Sequence, residues 1–193
     1  RGISKNNINQ IMESQALINS WDWESIKEQN WMESCSKFFQ PIIVNNMVYI
    51  ITPWHKEDLN YINIKINPAL AFGTGHHSTT ILMIKAMLDI NFKDKSVVDI
   101  GTGSGILSIL AKKLKSKLVY SLDNDSLIVD NFLENFKLNN IDQTEPMIID
   151  CMDVDYNGYD IILANINKNI ILKLLSRFER KNTLIILSGI LSS

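Results

Sequence analysis

Val97-Val-Asp-Ile-Gly-Thr-Gly-Ser-Gly-Ile-Leu107 is the stretch that decides the fold. An apolar run leads into Gly101, Gly103 and Gly105, and a helical pattern follows. Glycines at this spacing let the backbone turn tightly and come close to a ligand. The helix start behind them offers unpaired amides to a polar or anionic group. Strand, Gly-rich turn and helix together make the first βα unit of a Rossmann-like sheet, where nucleotide ligands bind. A dinucleotide fingerprint places its third glycine three residues after the second. That position is Ile106, so the pattern of a nucleotide-dependent oxidoreductase fails. A turn that is Gly-rich only for packing is the competing explanation.

Working outward, short apolar runs alternate with helical periodicity. The spacing predicts strands at 96–100, 118–122, 146–150, 160–164 and 183–188, and helices at 79–90, 104–115, 126–138 and 168–180. Such alternation implies βαβ units and an α/β fold with a Rossmann-like, doubly wound, mainly parallel sheet. Leu118-Val-Tyr-Ser-Leu-Asp123 ends in an acid. A carboxylate at the end of the second strand can accept from both hydroxyls of a ribose, which makes Asp123 the ribose candidate. Asp125 or Ser126 is left to cap the following helix. Pro146-Met-Ile-Ile-Asp150 and Cys151-Met-Asp153 carry two acids, Asp150 and Asp153, either of which can face an adenine amino group; a solvated loop acid is the competing reading. Tyr159-Asp-Ile-Ile-Leu-Ala-Asn165 puts an amide at the carboxyl edge of a strand, where open α/β sheets bind ligands. That amide has two donor hydrogens and an acceptor to orient a reacting group.

Upstream, Pro41-Ile-Ile-Val-Asn-Asn-Met-Val-Tyr-Ile-Ile-Thr-Pro53 reads as a β-hairpin, because Asn45-Asn46 tolerates the left-handed backbone of a tight turn. Ile62, Ile64 and Ile66 alternate with polar residues and predict a further strand that stops at Asn67-Pro68. Before Gln40, Ile8, Ile11, Met12 and Ile18 fall near helical spacing, and Trp21, Trp23, Ile26, Trp31, Phe38 and Phe39 form an aromatic-rich helical stretch. The resulting division is a helical and hairpin segment over 1–60 and a ligand-binding domain over 61–193, with the boundary between Pro53 and Pro68.

The 193 residues suit one full-sized domain with a small appendage. With 19 basic and 21 acidic side chains the formal charge is −2, so no domain-wide basic surface for phosphate neutralisation exists. Lys112, Lys113, Lys115 and Lys117 gather where a helix is expected to end, and cations there complement the helix dipole. Two distant cysteines, Cys35 and Cys151, fit a reduced cytoplasmic protein. No apolar run is long enough to span a bilayer. Before the helix at 79–90, Asn67-Pro-Ala-Leu-Ala-Phe-Gly-Thr-Gly-His-His-Ser-Thr-Thr80 combines glycines with hydroxyls that can cap a helix or meet a ligand. Its adjacent His76 and His77 do not share a face and have no carboxylate close by in sequence, so no metal site is expected.

These segments, in this order, resemble the ribosomal protein L11 methyltransferases, a family of class I S-adenosylmethionine-dependent methyltransferases. Ala71-Phe-Gly-Thr-Gly-His-His-Ser-Thr-Thr80 is similar to the family's Ala-Phe-Gly-Thr-Gly-Thr-His-Pro-Thr-Thr. Asp99-Ile-Gly-Thr-Gly-Ser-Gly-Ile-Leu107 has the Asp-x-Gly-x-Gly-x-Gly pattern of the class. Leu163-Ala-Asn-Ile166, Leu187-Ser-Gly-Ile-Leu191, Trp31, Phe39-Gln-Pro41 and Thr52-Pro-Trp54 follow the same family. The resemblance covers roughly residues 30 to 191. It implies S-adenosylmethionine bound by Phe72, Gly73, Thr74, Thr80, Gly101, Gly103, Asp123 and Asn165, with Asn165 also orienting the reacting groups. It implies methyl transfer to lysine ε-amines and the α-amine of ribosomal protein L11, by a cytoplasmic monomer with no direct nucleic-acid or membrane partner.

The departures are local. His76 stands where the family has Thr, and Ser78 where it has Pro. Residues 1–30 show no recognisable recognition domain, and the family's final β-hairpin lies beyond Ser193. Asn-Ile-Asn-Lys at 165–168 differs from the Asn-Pro-Pro-Tyr of DNA and glutamine methyltransferases, which argues against base or glutamine methylation. The competing readings are methylation of another protein or small-molecule amine, and a cofactor-binding module without turnover.

Overall fold

The computed structural model describes residues 39–68, 77–142, 145–178 and 183–189. Contacts divide the chain into Arg1–Phe38 and Phe39–Ser193. The helical stretches expected before Gln40 lie outside the described residues.

Among the described residues of 39–193, two sheets form. In the smaller, β1 (Ile42–Val44) pairs antiparallel with β2 (Val48–Ile51). Asn45 and Asn46 turn the chain between them at φ 49° and 52°, the left-handed conformation expected of this hairpin. The strand expected around Ile62–Ile66 is β3 (Ile62–Lys65), and it lies parallel to β2. Val44, Val48, Ile50, Ile64 and Ile66 are buried in the same apolar cluster as Met83, Ile84 and Leu110. The hairpin therefore shares a core with the helices that follow it.

The larger sheet is β4 (Ser96–Ile100), β5 (Leu118–Asp123), β6 (Met147–Ile148), β7 (Ile161–Asn165) and β8 (Leu184–Ser188). All of its pairings are parallel, in the order β6-β5-β4-β7-β8. This is the α/β, Rossmann-like, doubly wound arrangement that the alternating pattern called for. Val97, Val98 and Ile100 are almost wholly buried, because a central parallel strand is covered on both faces. The helices are α1 (Ser78–Leu88), α2 (Ile106–Lys113), α3 (Val129–Leu138) and α4 (Lys168–Leu174).

Most helices run about two residues short of the sequence pattern, and three elements depart further. The strand expected at 146–150 reduces to two half-exposed residues at the sheet edge. The helix expected from 126 begins as a 3-10 turn over Ser126–Ile128, with Asp125 accepting from the Leu127 amide. The helix expected to reach 180 ends at Leu174.

The order reverses at β4: β5 lies on one side of it and β7 on the other. A crevice at the carboxyl ends of these strands is where ligands bind in open α/β sheets. Gly105 sets how α2 leaves that crevice. It takes φ 79°, and a methyl group there would meet Phe132 and Phe136 at 2.9 Å, so the turn lies directly on α3.

Candidate functional site

The amides of Gly101 and Thr102 both donate to the Leu122 carbonyl at 2.9 Å, which ties the end of β4 to the end of β5. The Gly103 amide donates to Asp123 Oδ2 at 2.9 Å, and the Asp125 amide to Asp123 Oδ1 at 3.1 Å. Two amides thus fix the plane of the Asp123 carboxylate. Each oxygen keeps further acceptor capacity for a ligand hydroxyl. At Gly101 φ is 69°, and a side-chain carbon would collide with Ile166 Cγ2. Only glycine leaves this point of the crevice open.

A cleft beside the turn is lined by Gly101, Asp123, Asp150, Met152, Ile166 and Lys173, among others. Its lining mixes polar and acidic groups, Asp123, Asn124 and Asp150, with the apolar side chains of Ile149, Ile166 and Ile170. That combination suits a nucleoside, with a polar sugar and an apolar base face. Asp150 faces the cleft and caps the 3-10 turn Cys151–Asp153 through the Met152 amide at 2.9 Å. Asp153 is exposed and does not line the cleft. Cys151 also lines it; burial, and then the neighbouring Asp150 charge, push its thiol pKa up, so it sits there as a neutral thiol.

Beneath the turn is a buried polar cluster. Asp99 Oδ2 accepts from the hydroxyls of Thr102 at 2.8 Å and Ser108 at 2.7 Å. Ser108 lies 2.7 Å from the Ser121 hydroxyl on β5. Asp99 Oδ1 has no partner among the described residues. Burial raises the Asp99 pKa to about 6, outweighing the two hydroxyls, which lower it.

Asn165 stands at the end of β7, where its Nδ2 donates to Thr80 Oγ1 on α1 at 3.2 Å. Thr80 is buried and Asn165 partly exposed. This pair is separate from the lining of the cleft at Asp123. His77 caps α1, with Nδ1 accepting from the Thr79 amide at 3.3 Å.

The structure therefore brings Gly101, Gly103, Asp123 and Asp150 together, and pairs Thr80 with Asn165. Phe72, Gly73 and Thr74 lie outside the described residues. Ile166 and Lys173 belong to the cleft without having been singled out in the sequence. Ile166 follows Asn165 directly, so the strand end was the available signal. Lys173 has none, being one more lysine in a helix. Among the described residues no group of His, Cys, Asp and Glu could hold a metal ion, and no helix is long and apolar enough to cross a membrane.

A model of the ribosomal protein L11 methyltransferase (PrmA) family matches residues 3–193. The chain belongs to that family. It is 40% identical over 157 residues to the ribosomal protein L11 methyltransferase of Bacteroides thetaiotaomicron, covering 79% of this chain and 56% of that protein. It is 41% identical over 170 residues to the one from Campylobacter jejuni, covering 86% of this chain and 59% of that protein. The chain thus spans less than two thirds of these relatives. Among solved structures, a ribosomal protein L11 methylase from Lactobacillus delbrueckii subsp. bulgaricus superposes with a TM-score of 0.69 at 30% identity, covering 78% of this chain and 80% of that one.

Proposed function

We propose that this chain transfers methyl groups from S-adenosylmethionine to amines of ribosomal protein L11, at lysine ε-amino groups and the N-terminal α-amine. The observation that carries the reading is the Asp123 carboxylate, held by the Gly103 amide at the switch point of the sheet in a chain of this family. Asp123 would take the ribose hydroxyls, and Gly101 leaves room for the ligand beside Ile166. Asp150 is the acid suited to the adenine amino group, since it lines the cleft and Asp153 does not.

When bound, S-adenosylmethionine supplies an electrophilic methyl group on a sulfonium, whose carbon–sulfur bond breaks as the amine lone pair forms the new bond. What the protein adds is alignment. Thr80 engages the amide nitrogen of Asn165, so the side chain presents its carbonyl oxygen to an N–H of the incoming amine. An amide cannot remove the amine's proton. An unperturbed lysine amine has a pKa of about 10.4, so the neutral form must come from desolvation of the substrate or from bulk base. A cytoplasmic, monomeric protein acting directly on L11, with no nucleic-acid or membrane partner, completes the reading.

The test is a calorimetric titration of S-adenosylmethionine into the chain and an Asp123→Ala variant, followed by intact-mass analysis of L11 after incubation. We expect binding that weakens about a hundredfold in the variant, from the loss of two charge-assisted hydrogen bonds, and methylated L11 with the native chain. Binding without methylation of L11 would point to a different amine substrate. No binding by the native chain would sink the reading.

A further inference from the structure

Asn131 and Asn135 on α3, and Asn139, which caps its C-terminus, lie four residues apart, and all three are buried. Residues at this spacing stack along one side of a helix. Buried amides cost stability unless their donors and acceptors are met. Asn139 treats Lys65 as a strand neighbour would: its Oδ1 accepts from the Lys65 amide at 3.0 Å, and its Nδ2 donates to the Lys65 carbonyl at 2.7 Å. Asn131 Nδ2 donates to the Asn67 carbonyl at 3.2 Å. These two hold the chain that leaves β3.

Asn135 differs because it reaches two places. Its Oδ1 accepts from the Asn67 amide at 2.8 Å, while its Nδ2 donates to the Ser104 carbonyl at 2.9 Å. Ser104 sits inside the glycine turn, next to the Gly103 amide that holds Asp123. The peptide that follows Ser104 leads to Gly105, whose amide closes the turn onto the Thr102 carbonyl at 2.9 Å.

We propose that Asn135 is a positioning residue for the nucleoside site: its amide fixes the Ser104 carbonyl, and through it the direction in which Gly103 presents its N–H to Asp123. This rests on the reading of that turn as the cofactor site. Asn139 is the built-in control: a buried asparagine one turn further on, bonded to Lys65 and to the Asn135 carbonyl but not to the turn.

The experiment compares Asn135→Asp with Asn139→Asp. Each keeps an oxygen for the amide it accepts from and sets another oxygen against a carbonyl, so both should lower the thermal midpoint. In calorimetry with S-adenosylmethionine, Asn135→Asp should raise Kd about tenfold, on the scale of one hydrogen bond in the turn. Asn139→Asp should stay within about twofold of the native value. Amide hydrogen exchange of the ligand-free proteins reads the same coupling without the cofactor: the Gly103 and Gly105 amides should exchange faster in Asn135→Asp alone. Equal exchange at these amides in both variants overturns the proposal, and so does an equal change in Kd. If the native chain binds no S-adenosylmethionine, the cofactor reading fails, and exchange alone decides whether Asn135 sets the turn. Should the aspartates prevent folding, Asn135→Ala and Asn139→Ala carry the same comparison.

Discussion

The two sides of the crevice are built differently. On the β5 side, Asp123 is fixed by two amides, the turn is tied to Leu122, and a buried carboxylate with two hydroxyls lies beneath. On the β7 side, the Asn165 side chain has one hydrogen bond among the described residues, to Thr80, and the Ile166 side chain meets Gly101 with an apolar methyl group. The first side is a rigid mould, suited to a ligand whose shape does not change. The second leaves a polar group with spare capacity, suited to a reacting partner that comes and goes. Preorganised donors belong where the geometry must be constant.

Four substitutions can break or sharpen this contrast. The largest effect is expected from Gly101→Ala, which places a methyl group against Ile166 at a φ of 69°. Left-handed strain and overpacking together should cost about 3 kcal/mol of stability, measured by chemical denaturation. Ile166→Ala in the same chain should recover part of that loss. If it recovers none, the clash is not what reserves the site for glycine.

Asp99→Asn addresses the mould from below. In the folded chain Asp99 titrates near 6, against 3.8 for the ordinary carboxyl. Between these values the native state holds a proton that the unfolded chain has lost, so this group's contribution to stability falls as pH rises. It is fully present below about pH 4 and gone above about pH 6, and amounts to at most about 3 kcal/mol. The thermal midpoint of the native chain, relative to the variant, should therefore drop across that window. A constant difference between the two would mean that Asp99 does not titrate there.

If the Asn165 amide orients the reaction as proposed, Asn165→Ala should lower kcat about a hundredfold. The Kd of S-adenosylmethionine should move only a few-fold. An equal loss in both would make Asn165 part of the mould and erase the distinction. The smallest effect belongs to Thr80→Val, which removes the Asn165 tether and should reduce kcat about tenfold. If kcat is unchanged, Asn165 is held by something other than Thr80.

The same contrast explains what the sequence disclosed. Strand β4, the glycine turn, α2 and β5 were legible because their signals are local: an apolar run, glycines at fixed spacing, and an acid at a strand end. The hairpin at Asn45-Asn46 was legible for the same reason. The parallel pairing of β2 with β3 was not, since it depends on a crossing that no short motif encodes. The Thr80–Asn165 pair joins residues far apart in sequence: Asn165 was legible at its strand end and Thr80 among hydroxyls before a helix, but no local signal joined the two. Asn131, Asn135 and Asn139 have no such local signal. Their partners are backbone groups, which have no sequence signature. The two edge strands of the larger sheet differ, β6 with two residues and β8 with five, a difference that the apolar runs at 146–150 and 183–188 do not announce.

Gly105 carries a last implication. Its missing side chain is where the rings of Phe132 and Phe136 press against the turn, and those rings stack on each other at 4.4 Å. The apolar interior of the domain therefore reaches the glycine turn itself. Substitutions at 105, 132 and 136 cannot be accepted independently. Across descendants of this chain the three positions should drift together, as a linked set under shared selection.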